Sequence, residues 1–255
     1  MIAAEGLSKT FESKRGDRVT ALTDINFRIP PGKFVCIVGP SGCGKSTLLR
    51  LIGGLEQYEQ GRLFLDGKAI RDPSPNVGIM FQSATLLPWY TILSNVTLPL
   101  KIGMSHPDAE KRARDLLVMA GLAGFEDKYP YQLSGGMQQR AAICRALARD
   151  PQVLLMDEPF GALDALTRER MNIELQRIWQ ASSKTVVMVT HSIQESILLS
   201  DVILVMSARP GRIIEQIEVN FPRPRTFGNT TSLPEYDRLA TRIRGLLDDG
   251  EPVQH

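Results

Sequence analysis

Apolar positions along the chain fall into short runs separated by longer amphipathic stretches. "FVCIVG" (34–39) is an apolar run ending in glycine and predicts a buried strand. "KSTLLRLIGGL" follows it with leucines at helical spacing and predicts a helix. "VLLMDEP" (153–159) is a second apolar run, stopped by acids and a proline. "TRERMNIELQRIWQ" (167–180) predicts a helix, "KTVVMVTH" (184–191) a third strand and "VILVM" (202–206) a fourth. Strands alternating with helices predict an α/β core with a parallel sheet.

The amino-terminal third follows another pattern. "TALTDINFRIP" and "GRLFLDGKAI" alternate around turns at "PPG" and "LDG", which predicts antiparallel strands beside the core. Residues 84–150 carry helical periodicity and little strand, as an inserted helical subdomain would. Beyond Val219, "FPRPR" and "FGNTTS" predict a loop. "PEYDRLATRIRGLL" then predicts a short amphipathic helix with Tyr236, Leu239, Ile243 and Leu246 on one face. The expected organisation is one domain over 1–219 and a tail over 220–255, too short for a separate regulatory domain.

Composition narrows the class. The 255 residues suit one sizeable domain, 43% hydrophobic and 23% charged, as in an ordinary soluble protein. A net charge of +2 lacks the basic excess of a dedicated nucleic-acid binder. Three widely spaced cysteines, Cys36, Cys43 and Cys144, form neither a disulfide framework nor a metal-ligand pattern, which suits a reducing compartment. The first residues have no long apolar core and carry early charges, so they do not read as a signal peptide. No apolar run is long enough to cross a bilayer. Work at a membrane would need another chain for the membrane part.

The strongest chemistry lies in "GPSGCGKST", Gly39, Pro40, Ser41, Gly42, Cys43, Gly44, Lys45, Ser46 and Thr47. It fits G-x-x-x-x-G-K-[ST] in full. Glycines let backbone N–H groups curl round a phosphate, and the following helix points its positive end at the anion. Lys45 reaches the β- and γ-phosphates, and the Ser46 hydroxyl ligates Mg²⁺. Cys43 sits near a helix N-terminus and Lys45, both of which lower a thiol pKa. The bland role, filling a tolerant position, is preferred for it. Alkylation there is expected to abolish activity by blocking the phosphate site.

"VLLMDEP" places two carboxylates at a strand end, where ligands bind in open α/β sheets. Asp157 is expected to position Mg²⁺, directly or through water. Glu158 is expected to polarise the attacking water as general base. His191, at the end of "TVVMVT", could hydrogen-bond the γ-phosphate and orient Glu158 and the water. Gln82, in "IMFQS", offers a neutral amide to Mg²⁺ or the water.

With these pieces in order, the chain resembles the ATP-binding subunits of ABC transporters. The motifs are "GPSGCGKST", "MFQ" with Gln82, "LSGGMQQR", "VLLMDEP", "GALD" (161–164) and "VTH", in the family's order over nearly the whole chain. The resemblance implies a P-loop NTPase with a RecA-like parallel sheet core, an antiparallel β subdomain and an inserted α-helical subdomain. It implies ATP and Mg²⁺ as cofactors. Phe11, in "LSKTF", takes the place where the family stacks a ring on adenine. Two copies, or one copy and a homologous ATPase subunit, would pack head to tail around two ATP molecules. Ser134, Gly135 and Gly136 of one would face the phosphate loop of the other, and Asp164 would link the two sites. Met137 departs from the commonest signature, LSGGQ, by replacing its glutamine.

"FQSATLLPWYTILSNVTLPL" (81–100), "FGALDALTRE" and "ARPGRI" resemble the branch serving nitrate, sulfonate and taurine importers. Permease subunits would then dock near Leu86–Leu93, with Trp89 and Tyr90 as interface residues, and an extracytoplasmic solute-binding protein would act indirectly. The expected place is the cytoplasmic face of the cell membrane, without a nucleic-acid partner. Three alternatives stay open: an export or lipid-transport ATPase of the same family, a soluble family member acting on nucleic acid or the ribosome, and a P-loop small-molecule kinase.

Overall fold

The computed structural model describes residues 1–12, 16–161, 163–182 and 184–248. Ala162 of "GALD" and the tail beyond residue 248 lie outside the described residues. Two units emerge: Met1–Ser74 together with the chain from Thr185 onward, and Pro75–Lys184.

In the first unit, β1 (Ile2–Glu12) pairs antiparallel with β2 (Arg18–Ile29) and, on its other edge, with β4 (Gln60–Leu65). A two-residue β5 (Lys68–Ala69) extends β4 across the "LDG" turn. The alternating segments of the amino-terminal third therefore form a separate antiparallel sheet, in the order β2-β1-β4-β5. Its register breaks at bulges along β1, where Gly6 takes a positive φ.

The apolar runs form the second group of strands. All five residues of β3 (Phe34–Val38) are buried. It runs parallel to β8 (Thr185–Val189) on one side and to β9 (Val202–Met206) on the other. Helices cover strands buried on both faces, which is why these read as continuous apolar runs rather than alternating ones. A further strand, β10 (Ile213–Glu218), closes the edge antiparallel to β9.

Helix α1 (Lys45–Ile52) follows β3 and stops at Gly53, with Gly54 at φ 68° turning the chain away. Helix α6 (Ile193–Leu199) follows β8 and is capped by Ser192. The predicted tail helix, α8 (Pro234–Asp248), buries Tyr236 and Ile243 against Val38, Ile197, Val205 and Ile217, with Leu239 and Leu246 alongside. The loop expected at "FGNTTS" instead holds a one-turn helix, α7 (Phe227–Thr230). A reciprocal cap makes it: the Asn229 N–H donates to the Thr226 hydroxyl (3.2 Å), and the Thr226 N–H to the Asn229 side chain (2.7 Å).

"FPRPR" is the bolt that fixes this tail. The buried Arg225 guanidinium donates to the carbonyls of Ile197, Ser200, Val219 and Phe221 at 2.5–3.1 Å. Burial pushes its pKa down to about 10, so it stays charged at neutral pH. Arg223 pairs with Asp201 (2.9 Å), whose second carboxylate oxygen accepts the Phe34 N–H (3.0 Å).

The second unit begins with β6 (Val77–Met80), parallel to β7 (Val153–Asp157). Between them come α2 (Ile92–Thr97), α3 (His106–Met119) and α4 (Gly135–Leu147), the helical segment expected over 84–150. Long α5 (Ala165–Ser182) follows β7. Gly78 lets β6 approach α4: a Cβ there would stand 2.4 Å from the Ala146 carbonyl oxygen. Among the described residues no helix is long and apolar enough to cross a membrane. The chain thus has the P-loop NTPase fold, with RecA-like parallel strands, an antiparallel β subdomain and helical insertions.

Candidate functional site

The phosphate loop leaves the C-terminal end of β3 and runs into α1. Gly42 (φ 74°) and Gly44 (φ 104°) both occupy the left-handed region that favours glycine. Space also demands glycine: a Cβ on Gly44 would stand 2.7 Å from Leu22 Cδ2, and one on Gly39 2.8 Å from Cys43 Sγ. The first helical bond runs from the Leu48 N–H to the Gly44 carbonyl (2.9 Å). The amides of Lys45, Ser46 and Thr47 therefore precede the helical ladder, as in an anion-binding helix start.

Lys45 is buried, and its ammonium donates to the carbonyls of Gly39 and Pro40, both at 2.8 Å. The loop's own oxygens thus hold a cation inside it. That cradle of amides round a fixed ammonium fits a polyphosphate. Ser46 stands at the second position of α1, half-buried.

Cys43 corrects one expectation. Burial pushes its thiol pKa up, outweighing the lowering by Lys45. Its Sγ is covered, 4.0 Å from the Lys45 ammonium. A buried sulfur whose pKa is raised keeps its proton and packs against the loop. It is not an activated nucleophile.

His191 follows β8, adjacent to β3, and its side chain is exposed. Phe11 lies at the end of β1, 39% exposed, with the Lys9 ammonium 4.8 Å from its ring centre. A ring left that open is available for stacking rather than spent on the core.

The acidic pair belongs to the second unit. Asp157 ends β7, and Glu158 follows at φ 43°, a strained position for a non-glycine residue. Both are half-buried. The turn is closed by the Gly161 N–H donating to the Glu158 carbonyl (3.1 Å). Gln82 is exposed just beyond the end of β6, the strand beside β7. Within this unit Asp157 and Gln82 offer side-chain oxygens, the donor chemistry a hard divalent cation takes.

The signature stretch is a helix start. Ser134 is the N-cap of α4, and its hydroxyl oxygen accepts the Met137 N–H (3.4 Å). That bond uses the oxygen as acceptor, so the hydroxyl hydrogen can still donate outward. Gly136 is needed for close packing: a Cβ there would stand 2.9 Å from Thr167 Cγ2 on α5. Neither neighbouring glutamine replaces the amide that Met137 lacks. Gln138 donates inward to the carbonyls of Pro130 (3.0 Å) and Leu133 (3.2 Å), and Gln139 is buried. Met137 itself is half-buried and lines a cleft of about 270 Å³ with Arg140, Thr167 and Arg170. Asp164 is exposed at the start of α5, and its carboxylate accepts the Thr167 N–H (3.0 Å). That threonine's hydrogen bonds hold its pKa down.

Two supporting residues are not evident from motifs. Gln139 donates to the Gln82 carbonyl (3.5 Å), and Arg145 donates to the carbonyls of Ala84 (3.0 Å) and Thr85 (2.9 Å). Helix α4 therefore grips the loop that carries Gln82. Their partners lie 57–61 residues away in sequence, so no motif spacing announces them. Trp89 is 67% exposed, and Asn95, fully buried, ties the segment before α2 by donating to the carbonyls of Leu87, Tyr90 and Thr91.

Comparison with known proteins finds relatives over nearly the whole chain. The family model described as ABC transporter matches residues 22–161. An uncharacterized ABC transporter ATP-binding protein of Methanocaldococcus jannaschii is 48% identical, covering 97% of this chain and 91% of that protein. The taurine import ATP-binding protein TauB of Rhizobium johnstonii is 43% identical, covering 100% of this chain and 99% of that protein. A solved dimeric post-hydrolysis state of an ATP-binding cassette, bound to ADP and Pi, aligns with a TM-score of 0.75 at 35% identity, covering 87% of this chain and all of that one.

Proposed function

This chain belongs to the ABC transporter family of ATP-binding proteins and is related to its nitrate, sulfonate and taurine importer branch, and from that premise we propose that it is the ATP-hydrolysing subunit of a membrane importer. The observation that carries the reading is the phosphate loop, with the Lys45 ammonium fixed between the Gly39 and Pro40 carbonyls at the start of α1. A solute bearing a small oxyanion, such as taurine, an alkanesulfonate or nitrate, is the proposed cargo class.

In this reading the loop amides and Lys45 bind the triphosphate and take up the charge that develops on the γ-phosphate. Glu158 accepts a proton from the attacking water. His191 donates to the γ-phosphate and holds the water in line. Phe11 stacks on the adenine. Bound Mg²⁺ would screen phosphate charge, with Ser46, Gln82 and Asp157 as its protein oxygens. The products are ADP and phosphate. Two copies sandwich two nucleotides, the Ser134 hydroxyl and the amides at Gly135 and Gly136 of one copy facing the γ-phosphate held by the other. Such a dimer closes on ATP and opens after hydrolysis, a ligand-driven switch. Permease subunits dock on the Leu86–Leu93 surface at the cytoplasmic face of the membrane.

Glu158→Gln tests the mechanism. The variant should bind ATP, accumulate as an ATP-bound dimer on gel filtration and lose nearly all turnover. A monomeric variant with full turnover refutes the general base. Uptake of labelled taurine, an alkanesulfonate and nitrate by cells lacking this chain tests the cargo class. Unaltered uptake of all three overturns it.

A further inference from the structure

Helix α6 buries a carboxylate where its cap needs none. The Glu195 N–H already has its partner in the Ser192 hydroxyl (3.2 Å), which satisfies the helix start. Yet the Glu195 side chain is 5% exposed, among Ser196, Ile197, Leu198 and Leu199, which are all buried. Buried carboxylates are costly unless strongly hydrogen-bonded.

Its use is visible one turn back along the chain. The Thr190 hydroxyl, also buried, donates to the Glu195 carboxylate at 2.5 Å. The same hydroxyl oxygen accepts the Ser192 N–H at 3.0 Å. The Thr190 N–H donates to the Ile37 carbonyl (3.2 Å), joining this point to β3, the strand that feeds the phosphate loop. So the residues on both sides of His191 are tied to each other and to the sheet, while the imidazole itself is exposed. The far end of α6 is fixed as well, since Arg225 takes the Ile197 and Ser200 carbonyls.

We propose that Glu195 is a positioning residue for His191, acting through the Thr190 hydroxyl. Resting on the ATPase reading above, it sets how far and at what angle the imidazole meets the γ-phosphate. The charged acceptor matters because a hydrogen bond to a carboxylate is shorter and stronger than one to a neutral group. It holds the Thr190 hydroxyl, whose oxygen also receives the Ser192 N–H.

The test uses the full chain with isotope-labelled histidine. Its three histidines are His106, His191 and His255, so His106→Gln and His255→Gln assign the remaining ring signal. Thr190→Val keeps the shape and removes the hydroxyl, whereas Thr190→Ser keeps the hydroxyl. Thr190→Val should shift or broaden the His191 ring resonance. It should lower kcat by about tenfold to a hundredfold and leave the KM for ATP within about twofold. Thr190→Ser should restore both, and Glu195→Gln should fall between. If Thr190→Val does not fold, the Glu195→Gln resonance and kcat decide the matter in the same way. An unmoved His191 resonance with wild-type kcat overturns the proposal. A wild-type chain that does not hydrolyse ATP sinks the ATPase reading instead, and the His191 resonance still reports on the positioning.

Discussion

Gly211 presses on the carbonyl oxygen of Cys43: a methyl group on its Cα would stand 2.1 Å from that oxygen. The same glycine is stitched to β2, its N–H donating to the Ala21 carbonyl (2.9 Å) and its carbonyl accepting the Thr23 N–H (3.0 Å). "ARPGRI" therefore braces the phosphate loop from outside, with backbone on both sides of the contact. Gly211→Ala should cost about 1–3 kcal/mol of stability, the range for overpacking a tight site. It should also weaken ATP binding, because the Cys43 carbonyl has to move for the methyl to fit. Denaturant midpoints and titration with a fluorescent ATP analogue read the two effects. Wild-type affinity in the alanine variant would show that the brace does not shape the loop.

Buried thiols should make stability fall at alkaline pH. Burial pushes Cys144 from the ordinary 9.0 up to about 12, against a smaller opposing pull from Arg140. Cys36 and Cys43 shift the same way. A thiol raised on folding keeps its proton in the native state after the unfolded chain has lost it. Above about pH 9 the unfolded chain therefore binds fewer protons, and rising pH favours it. For one such thiol the loss at pH 10 is about 1.4 kcal/mol. Urea titrations of wild type and Cys144→Ala at pH 8 and pH 10 isolate it. The drop between the two pH values should be smaller in the variant by about that amount. Equal drops would mean that Cys144 does not titrate on unfolding.

Much of this architecture was legible from apolar runs, and the exceptions have physical causes. β3, β7, β8 and β9 are buried on both faces, so they stand out as unbroken hydrophobic segments. β1 does not, because Gly6, two alanines and several bulges interrupt its alternation. β10 carries an alternating edge pattern in "IIEQIE", a weaker signal than a run. The α7 turn rests on one reciprocal cap between Thr226 and Asn229, which composition alone scores as loop. The motif residues could be found by spacing because each is recognised by its own residue type. The brace at Gly211, the grip of Arg145 and the hydrogen bond from Thr190 to Glu195 could not. Each matters only through groups distant in sequence or local geometry that the fold brings to it: the Cys43 carbonyl, the Ala84–Thr85 turn and the Thr190 hydroxyl.

Arg145 should be worth more than its place in the middle of a helix suggests. Besides the two carbonyls, it donates to the Thr85 hydroxyl (2.8 Å), and Thr85 holds a positive φ of 45°. Burial lowers its pKa, the mark of a desolvated charge committed to these partners. Arg145→Ala should destabilise the chain by about 2–3 kcal/mol, as expected when hydrogen bonds from a charged donor are lost. Turnover should fall more than ATP affinity, because the freed loop carries Gln82 rather than the phosphate cradle. Arg145→Lys should recover only part, since an ammonium lacks the planar fork. A kcat loss matched by an equal loss of affinity would place Arg145 in nucleotide binding instead.

Trp89 offers a test that separates the proposed docking from catalysis. It is 67% exposed at the end of a segment that buried Asn95 holds rigid, and Tyr90 beside it has the Lys101 ammonium 5.4 Å from its ring. A large aromatic side chain kept in solvent on a fixed backbone suits insertion into a partner surface. Trp89→Ala removes little packing, so stability should change by no more than about 0.5 kcal/mol. ATP hydrolysis by the isolated chain should continue at the wild-type rate. Solute uptake by the assembled transporter should fall sharply, because the energy of hydrolysis no longer reaches the permease. Paired measurement of ATPase rate and uptake in the same membranes checks this. Normal uptake would remove Trp89 from the docking surface, and a lowered melting temperature would show that the ring serves the fold.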